Sequence, residues 1–225
     1  MNYKSKLNET VEAAVKRLVV PTIFSNSATN PIIAAQVAII WQRLIQFNID
    51  LLANLLDLSS DDQLRTALVQ TLFEEFGDGD HTKIHTSLFK SLIAEMEIET
   101  LPPEIAARLI ANSEQAMNNL RTHITLNSRD DALAGVFLGM ELFAEQNLSF
   151  VKSTLLGGSQ SKSELRQHPY FSVHDLVEPE HLARAINIAA RLAEDADCFP
   201  DSVIISLIAT EKFWKDFWGS MNTEV

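Results

Sequence analysis

Glu75 and His85 are two residues of metal-binding type at positions that predict inward-facing side chains. Glu75 follows Leu68 by seven residues and Leu72 by three, so it continues the apolar face of a predicted helix. His85 begins an apolar stripe on the next predicted helix, and His81 lies one turn before it on the same face. A buried carboxylate needs a partner. The pair therefore indicates a functional site, although a satisfied core histidine and a carboxylate at a helix end would give the same pattern.

A later predicted helix adds two glutamates that lie one turn apart. Glu145 shares a stripe with Leu138 and Leu142, and Glu141 precedes it by four residues. Either glutamate taken alone is also typical of a solvated helix face. The sequence therefore supplies a third carboxylate for a site but leaves open which of the two it is.

His174, Glu178 and His181 form the third group of candidate ligands. Their i, i+4, i+7 spacing aligns three side chains on one helical face, where two imidazoles and a carboxylate can share a metal ion. Inward Glu and His side chains from several helices of a bundle are the ligands of carboxylate-bridged di-iron sites. The single cysteine, Cys198, excludes a multi-thiolate zinc or iron–sulfur site. Any metal must therefore be held by histidine and carboxylate.

The elements that position these residues are predicted to be helices throughout. Apolar residues recur at three- and four-residue steps, strand-like alternation is scarce, and no linker or internal repeat divides the 225 residues. Gly135 and Gly139 have the spacing that lets another helix or a ligand approach closely. We predict one all-α domain over residues 1–225, a bundle of about seven or eight helices. They are expected over Leu7 to Leu18, Asn30 to Leu58, Asp61 to about Gly77, Thr82–Met96, Glu104–Thr122, Arg129–Leu156, Pro179–Asp197 and from Pro200 onward.

Composition and charge narrow the classes of function. Hydrophobic residues make up 46% of the chain and the net charge is −12, so the field repels a phosphate backbone and nucleic-acid binding is not expected. The polar start of the chain does not resemble a signal peptide, and no uninterrupted apolar run approaches the roughly 18–20 residues of a membrane span. We expect a cytoplasmic protein without membrane association.

Two stretches carry a resemblance to a known family. The run L-F-E-E-F-G from Leu72 to Gly77, followed by H-T-S-L-F from His85 to Phe89, resembles the E-E-x-G…H-x-x-L-F signature of the heme-oxygenase-like di-iron oxidases and oxygenases. Tyr170 to His174, with Glu178 and His181, resembles the late H-x3-D-x2-H motif of that family. The similarity extends from about Gln36 to Ala190 and is closest to the CADD-like branch.

The resemblance implies a heme-oxygenase-like bundle that holds two iron ions per chain, with manganese as an acceptable alternative, and that activates O₂ to oxidise a small organic substrate. Family reactions include fatty-acid decarboxylation, N-oxygenation and p-aminobenzoate formation, and a homodimer is compatible with the pattern. Among the two central glutamates, Glu145 is preferred because a polar pair and an apolar residue follow it, as in the family. The implied ligands are Glu75, His85, Glu145 or Glu141, His174, Glu178 and His181.

Three departures from the family pattern keep other functions open. Glu178 replaces the family aspartate, and Pro179 predicts a kink that costs about 3 kcal/mol in a helix joining His174 to His181. Phe24 stands near the place of the tyrosine associated with p-aminobenzoate formation, so that reaction is not assigned. The main alternative is a non-catalytic helical binding or interaction protein. A heme protein with one axial histidine and a thiaminase-like enzyme using Cys198 are further alternatives.

Overall fold

The computed structural model describes residues 7, 9–14, 30–96, 98, 100–158, 164–195 and 201–221. Within these residues every regular element is a helix, so the predicted all-α fold is confirmed. Short 3₁₀ turns lie at His81–Lys83 and Glu164–Gln167. The long helices are α1 (Pro31–Leu58), α2 (Asp62–Glu75), α3 (His85–Glu95), α4 (Pro103–Leu126), α5 (Asp130–Gly158), α6 (Pro169–Asp195) and α7 (Asp201–Gly219).

Capping residues explain where the first helices begin. The side chain of Asn30 accepts a hydrogen bond from the Ile32 amide at 3.0 Å, and Pro31 occupies the first helical position, as the sequence predicts. Asp61 caps α2 in the same way, accepting from the Leu64 amide at 2.8 Å. These caps satisfy amide groups that have no partner within the helix.

α1 is long and apolar enough, by length and composition, to match a membrane span, which corrects the expectation that no segment approaches one. However, 61% of its most apolar window is buried inside the bundle. Burial of this kind is typical of the central helix of a globular domain, and such a helix passes the same test.

α5 lies at the centre of the bundle and packs against α7, α6 and α1. Its residues from 131 to 143 are all buried. Gly135 and Gly139 let α7 approach closely, because an added Cβ would lie 2.4 Å from the Val203 carbonyl oxygen and 2.6 Å from Thr210 Cβ. The predicted close approach at these two glycines is therefore confirmed. This close contact with α7 fixes the position of α5, the helix that carries Glu141 and Glu145.

Two predicted helix starts are wrong. α6 begins at Pro169, not at Pro179, and continues through Pro179, whose ring is exposed. Contacts of α6 with α5 hold the helix together across the missing proline N–H, so packing outweighs local propensity. α3 begins at His85, not at Thr82, and His81 lies exposed on the preceding 3₁₀ turn, away from the predicted inward face. The described residues do not include 15–18, 97, 196–200 or Phe24. The predictions that concern these positions, Cys198 among them, therefore lie outside the described residues.

Candidate metal centre

A small cavity of about 60 Å³ lies among α1, α2, α5, α6 and α7. Five of the predicted ligands line it, and the sixth, His85, is buried beside them against Glu75. The remaining wall is largely apolar, with Trp41, Leu44 and Met140 among its residues. The donors in the wall are Glu75 from α2, Glu141 from α5, and His174, Glu178 and His181 from α6.

Glu75 and His85 form one half of this centre. Nδ1 of His85 lies 2.9 Å from Oε2 of Glu75, and the side chain of His85 is only 2% exposed. Asn48 donates a long hydrogen bond of 3.5 Å to the other carboxylate oxygen of Glu75. Burial raises the pKa of Glu75, but the neighbouring His85, His174 and His181 outweigh burial and lower it. Glu75 is therefore a buried carboxylate that is held in its ionised form.

His174 completes this half, with its ring centroid 4.4 Å from that of His85. Its Nδ1–H donates to the Tyr170 carbonyl oxygen at 2.6 Å, because a carbonyl can only accept. Two causes lower the pKa of His174 to about 4: burial is the larger, and repulsion from His85 is the second. The imidazole is thus neutral at pH 7 with a free lone pair on Nε2, which is the form that binds a metal.

Glu141, Glu178 and His181 form the other half of the centre, with ligand atoms within 4.8 Å of one another. Oε2 of Glu178 is buried and has no hydrogen-bond partner among the described residues. Burial, together with the nearby Glu141 carboxylate, raises the pKa of Glu178 well above its usual value. Two buried carboxylates that repel each other need a proton or a cation between them.

His181 is clamped between carboxylates from two helices. Its Nδ1 lies 3.4 Å from Glu141 Oε2, and its Nε2–H donates to Glu74 Oε2 at 2.6 Å. Burial lowers the pKa of His181, but Glu141, Glu178 and Glu74 outweigh burial and raise it to about 9. Nδ1, the nitrogen that faces Glu141, is therefore the one that would be offered to a metal.

Glu74 is a site residue that the sequence reasoning missed. Besides His181, it binds Arg184 through both carboxylate oxygens, at 3.1 and 3.0 Å, and Arg184 also donates to Thr71 at 2.8 Å. Partial burial raises the pKa of Glu74, but Arg184 and His181 lower it on balance. A signal was present, because Glu74 is the first glutamate of the E-E-F-G run that resembles the family signature.

The two central glutamates occupy different environments. Glu141 is buried, at 6% exposure, and contacts His181 in the inner cavity. Glu145 is exposed and lines a second cavity on the outer side of His174 and Glu178. The structure therefore brings Glu141 into the inner cavity with the other donors, whereas Glu145, the residue preferred from the sequence, lies on the outer side of Glu178 and contributes to the raised pKa of that residue. Metal binding by these residues stays a prediction.

The donor set fits a pair of hard divalent cations. Three carboxylates and three imidazoles converge, and their three negative charges would nearly balance two divalent ions. The buried Glu178 Oε2 atom, which has no hydrogen-bond partner among the described residues, is an acceptor that such a cation would satisfy.

The comparison with known proteins agrees with this geometry. Residues 46–203 match the heme-oxygenase-like family described as iron-containing redox enzymes. The chain belongs to this family. The match spans all six donors and confirms the resemblance to the heme-oxygenase-like superfamily, and with it an iron-dependent redox function is indicated. No curated protein and no solved structure matches the chain.

Proposed function

We propose that this member of the iron-containing redox enzymes is an O₂-dependent non-heme di-iron oxidase of a small organic substrate, of the CADD-like type, with manganese as an acceptable metal. One observation carries the proposal: carboxylates and imidazoles from four helices, six donors in all, meet around a small cavity, and the buried Glu178 Oε2 atom has no hydrogen-bond partner among the described residues. A cation bound between Glu141 and Glu178 would relieve their repulsion and give this oxygen a partner.

The donors divide into two groups, each suited to one ion. Glu75, His85 and His174 would hold one metal, and Glu141, Glu178 and His181 the other. When bound, the metal pair supplies electrons to O₂ and the oxidising power that acts on the substrate. All further contributions come from side chains of this protein.

The apolar wall and Tyr170 provide those contributions. Trp41, Leu44 and Met140 exclude water from the cavity, which strengthens the electrostatic interactions inside it. The hydroxyl oxygen of Tyr170 accepts a hydrogen bond from Trp41 Nε1 at 2.7 Å, and burial raises the pKa of Tyr170 well above its usual value. Tyr170 thus retains its hydroxyl proton at the cavity wall, where the neutral hydroxyl can donate a hydrogen bond to a bound oxygen atom.

Heme binding is less compatible with this cavity. A volume of about 60 Å³ holds ions and a few small molecules, whereas pockets for organic ligands measure roughly 300–1,000 Å³. Three carboxylates around one histidine ligand also disfavour a porphyrin. The main alternative is a non-catalytic binding protein on the same scaffold, which would need no metal.

Anaerobic reconstitution with ferrous iron separates these functions. We expect about two iron ions per chain by elemental analysis and, on mixing with O₂, a transient absorption band together with O₂ consumption. Glu75→Ala and His85→Ala should reduce the metal content to one ion or none. Glu114→Gln, which changes a half-exposed surface carboxylate, is the control and should retain both ions. A wild-type protein that takes up no metal and consumes no O₂ would favour the non-catalytic alternative.

A further inference from the structure

A second cavity, of about 270 Å³, lies between α5 and α6 directly outside the candidate metal centre. It shares Leu148, His174 and Glu178 with the inner cavity, so these three side chains separate the two spaces. The outer cavity is more than four times the volume of the inner one and approaches the size of pockets for small organic ligands. It therefore has the place and size of a substrate site.

The wall of this outer cavity carries negative charge that has no counter-ion among the described residues. The Lys152 ammonium donates to Asp175 Oδ2 at 3.0 Å and lies 5.3 Å from the Phe171 ring centroid, so the cation of the wall is already partnered. Glu145, by contrast, has no hydrogen bond or ion pair within the described part of the chain. After Lys152 and Asp175 neutralise each other, the Glu145 and Glu178 carboxyl groups remain in the wall, where no further cation of the described residues lines the cavity, and Glu145 is the more exposed of the two.

Pro179 adds a second acceptor to the same wall. A proline has no N–H, so position 179 cannot donate to the carbonyl of Asp175 one turn earlier, and both residues line the cavity. A helix carbonyl without its donor takes a partner from elsewhere, which at these exposed residues can be water or a ligand. The Glu145 carboxylate and the Asp175 carbonyl are both acceptors, so a ligand that donates several hydrogen bonds would suit this wall.

The half-buried Glu178 side chain gives a second indication that a ligand belongs at this boundary. Its unpartnered Oε2 atom belongs to a residue that lines both cavities. A molecule in the outer cavity therefore reaches the boundary of the metal centre without crossing the apolar inner wall. Leu148 and Phe171 offer apolar surface for its carbon skeleton.

We propose that the outer cavity binds a small organic ammonium compound, with the Glu145 carboxylate paired to its cationic nitrogen. This inference rests on the proposed function for the role of that compound as substrate. It also gives Glu145 a role other than metal ligation. An ammonium group satisfies the open carboxylate and carbonyl together, whereas an organic anion would be repelled by Glu145.

The test compares three probes of similar shape and different charge: 2-phenylethylammonium, 2-phenylethanol and phenylacetate. Their affinities are measured by calorimetry on the metal-free protein and on anaerobic protein reconstituted with ferrous iron. We expect the ammonium compound to bind at least about tenfold more tightly than the alcohol, as expected for a charge-assisted hydrogen bond, and phenylacetate to bind most weakly. An ammonium affinity equal to that of the alcohol, or a preference for phenylacetate, overturns the proposal.

Glu145→Gln and Glu194→Gln form a matched pair of variants. Both remove one exposed negative charge, but Glu194 does not line the outer cavity. We expect Glu145→Gln to lose roughly tenfold in ammonium affinity while it retains the metal content of the wild type, and Glu194→Gln to change neither. Loss of metal in Glu145→Gln would overturn the proposal and make Glu145 a ligand. If the wild type binds no iron but binds the ammonium through Glu145, the site stands and the proposed oxidase function fails.

Discussion

Replacing Glu74 by glutamine tests whether the charged clamp around His181 positions a metal ligand. Glu74 and Arg184 are 14% and 15% exposed, and His181 is 3% exposed, so water screens these contacts little. Glutamine has the same shape but no charge, and it offers only one accepting oxygen to two donors. The variant therefore removes one charge-assisted hydrogen bond and the counter-ion of Arg184.

The expected effects have two separate magnitudes. A lost hydrogen bond to a charged group costs about 1.5–3 kcal/mol of unfolding free energy, which corresponds to a Tm decrease of roughly 3–12 °C for a domain of this size. Removing the carboxylate that orients a ligating histidine typically lowers metal affinity by about 10–100-fold. Glu74→Gln should therefore show both a lower Tm and weaker iron binding.

Two control variants separate positioning from stability. Glu114→Gln alters a carboxylate that is 49% exposed and 3.8 Å from Arg43, and should change unfolding free energy by less than about 0.5 kcal/mol. Arg184→Met removes the arginine but leaves the Glu74–His181 hydrogen bond, so it should lower Tm while iron affinity falls much less. Thermal melts and competitive metal titrations supply the data. If Glu74→Gln bound iron as tightly as the wild type, the assignment of Glu74 as a positioning residue would be refuted.

Three further predictions concern pH and backbone geometry. The metal-free protein should lose up to about 3 kcal/mol of unfolding free energy between pH 6.5 and 9. The pKa of His181 is raised to about 9 in the folded state, so its stabilising proton is lost as pH rises through that value. Thermal melts at constant ionic strength test this, and an unchanged Tm over that window would contradict it. Gly77→Ala should lower the unfolding free energy of the protein by more than about 1 kcal/mol, because Gly77 has φ +78° and an added Cβ would lie 2.5 Å from the Asp80 carbonyl oxygen. Gly219 has open space around it, so Gly219→Ala is the control and should be nearly neutral in denaturant titrations. Pro179→Ala should raise the unfolding free energy by up to about 3 kcal/mol by restoring a helix hydrogen bond, and it should weaken 2-phenylethylammonium binding. Equal denaturation midpoints for this variant and the wild type would show that α6 tolerates the proline at no cost.

The sequence predicts the helices well where capping residues and periodicity agree. α1 matches its predicted bounds because Asn30 and Pro31 define its start. α6 does not, because a proline that is typical of a helix start lies in mid-helix, where contacts with α5 compensate for it. Local propensity carries no information about those distant contacts.

The site residues show the same limit. Glu75, His85 and the α6 residues follow from inward stripes and helical spacing. The choice between Glu141 and Glu145 does not, because α5 is buried on all sides from 131 to 143 and its hydrophobic residues mark no single face. Glu74 was missed because its partners His181 and Arg184 lie more than 100 residues away in the chain.

The donor chemistry of the inner cavity has a consequence for how the protein acquires its metals. The cavity offers carboxylate and imidazole groups to an ion, and iron and manganese both suit these donors. The site would therefore be filled by the ion that is more abundant during expression, whichever of the two the reaction needs. The metal content of a purified sample would then record its growth medium, and exchange against a defined metal would reset it.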